Sequence, residues 1–253
     1  MRTIYVTVHI PKCGGRSLYK FFREVYGDDK IVNLYDNKEH ISKFYKKQLD
    51  LTNFAAVCGH VTYGIEEYLD RRTPVYLAMV REPLERFVSF YNYLLMPERV
   101  ITEKREALHN LAKSCRGNIE MFYHGVLADG DKTWSTSNIQ ASYLTGSRAC
   151  SIDSVINCVE RGYRMVVPLS RISWLFEQLA AEIGVPVPRF PPENTSDMVA
   201  STANTSPEFR EMFRRRADLD YFTYHYVAHR TYAAEVDRLH ARRWLFNGWP
   251  RSS

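Results

Sequence analysis

The N-terminal segment joins an apolar run, a loop with two glycines and a helical repeat, and this order restricts the folds open to the chain. Tyr5 to Ile10 is mostly apolar and β-branched, Gly14 and Gly15 follow, and apolar residues recur at helical spacing from Leu18. The pattern predicts a buried strand over residues 4–10 and a helix over residues 15–26. Such a loop directs backbone N–H groups and the helix dipole at one point, so we expect a phosphate or sulfate site there.

Strand and helix patterns alternate along the rest of the chain. Val75 to Val80 is six apolar residues in a row, which is typical of a strand covered on both faces. Other segments are predicted as follows: strands over 54–60 and 163–169, helices over 38–49, 64–72 and 171–183, a helix from Pro83, a mostly helical stretch over 103–162, a long loop over 186–207 and a helical C-terminal third from Pro207. The alternation predicts an α/β fold with a mostly parallel central sheet and helices on both faces. No linker divides the chain, so we expect a single domain over residues 1–253.

Composition excludes several classes of function. The net charge of +5 is compatible with an anionic ligand but is too small to indicate a nucleic-acid partner. The five cysteines form no CxxC pair, and no Cys, His or acidic cluster has metal-ligand spacing, so we expect no metal. No apolar run approaches the roughly 18 residues of a membrane span, and no signal peptide is recognisable. The sequence predicts a cytoplasmic protein with no membrane span, and its oligomeric state is unreadable.

A second anion-binding pattern follows the strand over residues 75–80. Arg81 lies at the predicted carboxyl end of that strand, where ligands collect in open α/β sheets. Ser89 follows two helical turns later. An arginine and a serine in these positions can hold a second phosphate. The alternative is structural: Arg81 pairs with Glu82 or Glu85, and Ser89 is a small packing residue.

His60 follows the predicted strand over residues 54–60 and is the candidate general base. A histidine at the ligand edge of a sheet can accept a proton near neutral pH. The alternative is a loop histidine held by ordinary hydrogen bonds, which is the more frequent fate of a lone histidine. Lys12 has a similar alternative, a solvated side chain at a tight strand–helix turn.

Taken in order, these segments resemble sulfotransferases that use 3′-phosphoadenosine-5′-phosphosulfate (PAPS), above all the branch that contains the uronosyl 2-O-sulfotransferases and bacterial relatives. Residues 9–18, HIPKCGGRSL, resemble the family's 5′-phosphosulfate loop, PKTGGTS. Residues 81–91 resemble its 3′-phosphate motif, and Gly59-His60-Val61 resembles its GHV segment. Residues 138–144 are similar to its NxQxxYL element. The resemblance covers roughly residues 4–185.

The resemblance implies a P-loop-type three-layer fold and a PAPS-dependent O-sulfotransferase. His60 would be the general base, and Lys12 would stabilise the leaving phosphate. The implied donor-binding residues are Lys12, Cys13, Gly14, Gly15, Arg16, Ser17, Arg81 and Ser89. The acceptor would be a hydroxyl of a small molecule or a glycan, no metal would be needed, and nucleic acid is not an expected partner.

Two residues of the glycine loop depart from the family pattern, and two other functions stay open. Cys13 and Arg16 replace residues that usually carry hydroxyls, and residues 168–171 replace a GLTE-like element. A P-loop nucleotide-dependent kinase or NTPase is the first alternative, although it requires a lysine after the second glycine. A catalytically silent nucleotide-binding relative is the second.

Overall fold

Five parallel strands form the central sheet of the computed structural model, which describes residues 3–96, 103–128, 137–189 and 200–247. The strands are β1 (Thr3–Val8), β2 (Ile31–Leu34), β3 (Ala56–Gly59), β4 (Thr73–Val80) and β5 (Tyr163–Pro168). Their order across the sheet is β2-β3-β1-β4-β5. Val6 of β1 lies opposite Val57 of β3 and Tyr76 of β4. Strand β1 is therefore the central strand. Strands β3 and β2 lie on one side of it, and β4 and β5 lie on the other.

Ten α-helices are present in the described residues. They are α1 (Gly15–Tyr26), α2 (Lys38–Tyr45), α3 (Pro83–Leu94), α4 (Glu103–Ser114), α5 (Ile119–Ala128), α6 (Ile139–Thr145), α7 (Ile152–Asn157), α8 (Ile172–Ile183), α9 (Pro207–Arg216) and α10 (Asp218–Asn247). Local residues set several of their starts. The Glu82 carboxylate accepts a hydrogen bond from the Glu85 N–H at the start of α3, and Pro83 occupies its first turn. None of the described helices has the length and apolarity needed to cross a bilayer.

The side chains of β4 show why the sheet is covered on both faces. Leu77 and Met79 point to one face and pack with α1 and α8 through Leu18, Phe21 and Leu175. Tyr76, Ala78 and Val80 point to the other face, which packs with α6, α7 and α10 through Leu144, Val155 and Val227. A third cluster joins α3, α4, α5 and α9 around Phe87 and Phe122. The α/β fold with two helix layers is thus as the alternation of strands and helices predicts.

The structure corrects several predicted elements. Residues 64–72 are not a helix: they contain only a 3₁₀ turn over Glu66–Tyr68, and positive φ angles at Asp70 and Arg71 end the helical geometry. The helix predicted over 38–49 ends at Tyr45, shortly before Lys47 with a φ of 56°. Strand β2 was not predicted. Within the predicted loop over 186–207, residues 190–199 lie outside the described residues, and a 3₁₀ turn spans Thr202–Asn204.

Candidate functional site

The loops that follow β1, β3 and β4 meet at the carboxyl edge of the sheet. These are the three central strands, and they carry the glycine loop (residues 9–15), His60 and Arg81 respectively. The His9 N–H donates to the Gly59 carbonyl over 3.3 Å, and Val8 forms an isolated bridge with His60. The edge of an open α/β sheet where the winding changes direction is the usual place for a ligand. The structure therefore brings all three sequence patterns to that place.

The glycine loop needs both of its glycines, for different reasons. Gly14 has a φ of 83°, a backbone conformation that side chains rarely allow. Gly15 has ordinary geometry, but a Cβ there would lie 2.2 Å from the ring of His9. The loop thus turns at Gly14 and packs tightly against His9 at Gly15.

The N-terminus of α1 faces out of this loop without a capping side chain. Gly14 occupies the cap position, no described side chain bonds the cap, and the first turn carries no acidic residue. The Ser17 N–H donates to the Gly14 carbonyl over 2.9 Å, and no side-chain hydrogen bond from the described residues caps the helix. Uncapped first-turn N–H groups and the positive end of the helix dipole suit an anion. The start of α1 is therefore a candidate anion-binding site.

Lys12 and α3 meet beside the glycine loop. The Lys12 ammonium lies 4.2 Å from the centroid of the Tyr93 ring, which is a cation–π distance. Tyr93 follows Ser89 by one helical turn, so the two side chains share a face of α3. Ser89 is half-buried. The face of α3 that carries Ser89 is therefore the face adjacent to Lys12.

Arg81 opens onto a cavity of about 220 Å³ at the end of β4. Its walls are Arg81, Glu82, Glu85, Leu169, Ser170 and Tyr224. The Arg81 Nε lies 3.5 Å from a Glu85 carboxylate oxygen, so the pairing that the structural alternative predicted is present. Because Glu85 is about half exposed, that pair contributes little stability, and a phosphate can compete for the guanidinium.

Gln140 connects the glycine loop to Arg81, a role that the sequence did not reveal. Its Oε1 accepts from the Arg81 N–H over 2.8 Å, and its Nε2 donates to the Arg81 carbonyl over 2.8 Å. The Cys13 thiol donates to the same Oε1 over 3.4 Å. Gln140 is fully buried. A buried amide with all these partners fixes the glycine loop and the segment of Arg81 relative to each other.

The two unusual loop residues direct their side chains away from one another. Cys13 is buried against Gln140, and burial raises the pKa of its thiol to about 12. Arg16 forms a two-pronged pair with Asp36, at 2.8 and 3.2 Å, and lies over the Tyr35 ring. Both side chains are thus engaged by other residues, and the Cys13 N–H donates to the Ile10 carbonyl over 3.1 Å.

His60 is exposed and held by His9 in two ways. The His60 Nδ1 lies 3.2 Å from the His9 carbonyl oxygen, and the two imidazole rings stack with centroids 4.3 Å apart. Because a carbonyl only accepts, Nδ1 carries the proton, and Nε2 carries the lone pair of the neutral ring. Tyr35 packs edge-on against His60. This is the tautomer in which Nε2 can act as a base.

A buried charge pair supports α6 behind the site. Asp220 accepts from the Ala141 N–H over 2.9 Å and interacts electrostatically with Arg86, and both charged residues are at most 2% exposed. Burial raises the pKa of Asp220 to about 6, against the attraction of Arg86. Asn138 donates to the Asp218 carboxylate and accepts from the Asp220 N–H. The NxQ element thus secures α6 to α10 through Asn138 and to Arg81 through Gln140.

A second cavity, of about 410 Å³, lies beside the segment that follows His60. Polar residues form much of its wall, including Thr62, Asn138, Ser142 and Arg148. The Tyr63 N–H donates to the Tyr143 carbonyl over 3.0 Å, which fixes this segment on α6. No three His, Cys, Asp or Glu side chains in the described ranges are grouped as metal ligands would be.

Comparison with known proteins identifies the class to which this site belongs. The model of the Sulfotransferase family matches residues 5–227, and the chain belongs to that family. No curated protein is significantly similar to the chain in sequence. Among solved structures, the chain is similar to a sulfotransferase from Alicyclobacillus acidocaldarius, with 16% identity and a TM-score of 0.46. That similarity covers 90% of this chain and 96% of the other.

Proposed function

We propose that the protein transfers the sulfuryl group of PAPS to a hydroxyl of a small molecule or a glycan. The observation that carries the proposal is the meeting of an uncapped helix N-terminus, Lys12, Arg81 and His60 at one sheet edge. Ser89 lies two turns into α3, one turn before the Tyr93 ring that Lys12 contacts. Family membership supports sulfuryl transfer in general. The proposal adds the donor, the acceptor group and the roles of the residues.

The donor-binding residues divide into two groups. The N–H groups of Gly14, Gly15 and Arg16, together with Ser17, would hold the 5′-phosphosulfate at the start of α1. The Cys13 N–H already donates to the Ile10 carbonyl over 3.1 Å, so Cys13 would contribute only to the shape of the loop. Arg81 and Ser89 would hold the 3′-phosphate. Gln140 would keep the two groups at a fixed separation. PAPS, when bound, supplies an activated sulfuryl group on a good leaving group.

His60 and Lys12 would act on opposite sides of the transferred group. As the acceptor oxygen forms its bond to sulfur, His60 Nε2 takes the hydroxyl proton. The bond from sulfur to the bridging phosphate oxygen breaks, and Lys12 stabilises the negative charge on that oxygen. The products are the sulfate ester and 3′-phosphoadenosine 5′-phosphate (PAP), and His60 then returns its proton to solvent.

Binding of PAP tests the donor assignment. Calorimetric titration is expected to show tight binding of PAP and weak binding of ATP–Mg²⁺. Arg81→Ala should weaken PAP binding by about 10- to 100-fold, which corresponds to one charge-assisted hydrogen-bonding group of about 1.5–3 kcal/mol. Adenosine 5′-phosphosulfate, which lacks the 3′-phosphate, is the matched control ligand, and its affinity should be nearly unchanged. Tight binding of ATP–Mg²⁺ without a response to PAP would favour the kinase alternative.

Turnover tests the role of His60. Transfer of labelled sulfate from PAPS is measured with an acceptor panel of oligosaccharides, simple alcohols and tyrosine peptides. His60→Ala should lower turnover by about 10²- to 10⁴-fold, the usual contribution of a general base. PAP affinity should stay within a few-fold, because the base faces the acceptor. Turnover at the wild-type rate would remove His60 from this role.

A further inference from the structure

The His9 ring lies between Gly15 and the candidate base, His60. Its side chain is buried, at 7% exposure, although histidine is polar. On one side its ring fills the space that a Cβ of Gly15 would need, at 2.2 Å. On the other side it stacks on His60, with the two ring planes 19° apart. One ring therefore separates the start of α1 from the ring of His60.

The main chain of the same residue adds a second constraint. The His9 carbonyl accepts from His60 Nδ1, while the His9 ring covers one face of the His60 ring. A hydrogen bond alone leaves a ring able to tilt about the bond, and a stack alone does not select a tautomer. Together the two contacts define both the plane of the ring and the nitrogen that carries the proton.

We propose that His9 is a positioning residue that fixes the plane and tautomer of His60 relative to the glycine loop. The inference rests on the proposed function only in taking His60 as the base. No role for the His9 side chain follows from the motif resemblance, because the PKTGGTS pattern begins at Pro11 and the His9 ring reaches the site through His60. Its expected effect is on kcat, with little effect on donor affinity.

His9 acts in this proposal as a neutral ring and not as a proton carrier. The groups that face it are His60, Tyr35, and the cations Lys12 and Arg16 of the loop and the first turn of α1. Burial lowers the pKa of His9 well below its usual value, and the charges of His60, Arg16 and Lys12 lower it further. A phenylalanine in its place should therefore preserve both contacts with His60: a flat ring that stacks on the imidazole, and a main-chain carbonyl that accepts from Nδ1.

Two substitutions distinguish the contribution of a flat ring at position 9 from the contribution of the imidazole nitrogens. His9→Phe should retain kcat within about three-fold of wild type and leave the pH profile of kcat unchanged. His9→Leu fills the volume without a flat face, and it should lower kcat by about 10- to 100-fold while the KM for PAPS stays within three-fold. An equal loss in both variants, or a pH profile shifted by His9→Phe, would overturn the proposal.

A spectroscopic measurement makes the test independent of turnover. Long-range ¹H–¹⁵N spectra of histidine-labelled protein report which imidazole nitrogen carries the proton. His60 is expected to be the Nδ1–H form in wild type and in His9→Phe, and a mixture of tautomers in His9→Leu. An unchanged His60 spectrum in folded His9→Leu contradicts the proposal. If the spectra behave as expected while His60→Ala retains turnover, the error lies in the role of His60 and not in that of His9.

Discussion

Lys12→Met is expected to lower kcat for sulfuryl transfer by about 10²- to 10³-fold, the usual cost of removing one group that stabilises developing charge. Lys12 lies at the start of the glycine loop with a φ of 69°, and its ammonium already lies close to the face of α3 that carries Ser89. Methionine preserves the length of the side chain and removes the charge. The loss should therefore fall on the chemical step more than on the fold.

Steady-state kinetics with the acceptor panel measures this loss, and a binding experiment interprets it. PAP affinity in Lys12→Met should fall by less than the loss in kcat, because the backbone N–H groups of the loop stay in place. Lys46→Met is the matched control, since Lys46 is exposed at the end of α2. A Lys12→Met enzyme with wild-type kcat would show that Lys12 only neutralises the bound donor.

Asp220→Ala is expected to lower the free energy of unfolding by about 3–5 kcal/mol, because it removes the acidic group that interacts most strongly with the buried Arg86 guanidinium. Arg86 and Asp220 are 2% and 1% exposed. The substitution also removes the acceptor for the Ala141 N–H at the start of α6. Urea unfolding at pH 8 measures the change, since a pKa of about 6 leaves Asp220 ionised there.

Two further variants show whether the buried charge causes the loss. Asp237→Ala, at an exposed position of the same helix, should cost about 1 kcal/mol or less. The double variant Arg86→Met with Asp220→Leu should recover much of the stability, because neither charge then remains buried. A double variant no more stable than Asp220→Ala would locate the cost in the lost acceptor for α6.

The sequence predicted those parts of the fold in which local pattern and tertiary environment agree. Val75 to Val80 is apolar throughout, and β4 is covered on both faces. The helix predicted over residues 15–26 is α1, because glycines precede it and Gly27 follows it. Strand β2 has only four residues, and the Asn33 side chain accepts from the Tyr35 N–H, so a strand of this length resembled a loop. The 64–72 prediction failed because positive φ angles at Asp70 and Arg71 leave no pattern in the apolar residues.

The parts of the candidate site that lie in one continuous motif could be predicted from the sequence. The parts that depend on contacts between distant segments could not. Lys12, Gly14, Gly15 and Ser17 belong to one short segment, and their arrangement follows from strand, loop and helix. Gln140 contacts Arg81 across 59 positions and Cys13 across 127, and nothing in its local pattern indicates either contact. The position of His9 depends in the same way on the pairing of β1 with β3. Hydrogen bonds between segments that are distant in sequence can be predicted only once the topology of the fold is known.

The inward position of Cys13 makes its thiol unreactive. Only the thiolate reacts readily with oxidants and electrophiles, and burial raises the pKa of the Cys13 thiol to about 12. Its hydrogen bond to Gln140 directs the sulfur into the protein. Cys150 and Cys158 are the two cysteines in the described residues that are only partly buried. The thiol in the glycine loop is thus neither a redox sensor nor a target for alkylation, and we expect an oxidant to react with Cys150 or Cys158 before it reacts with Cys13.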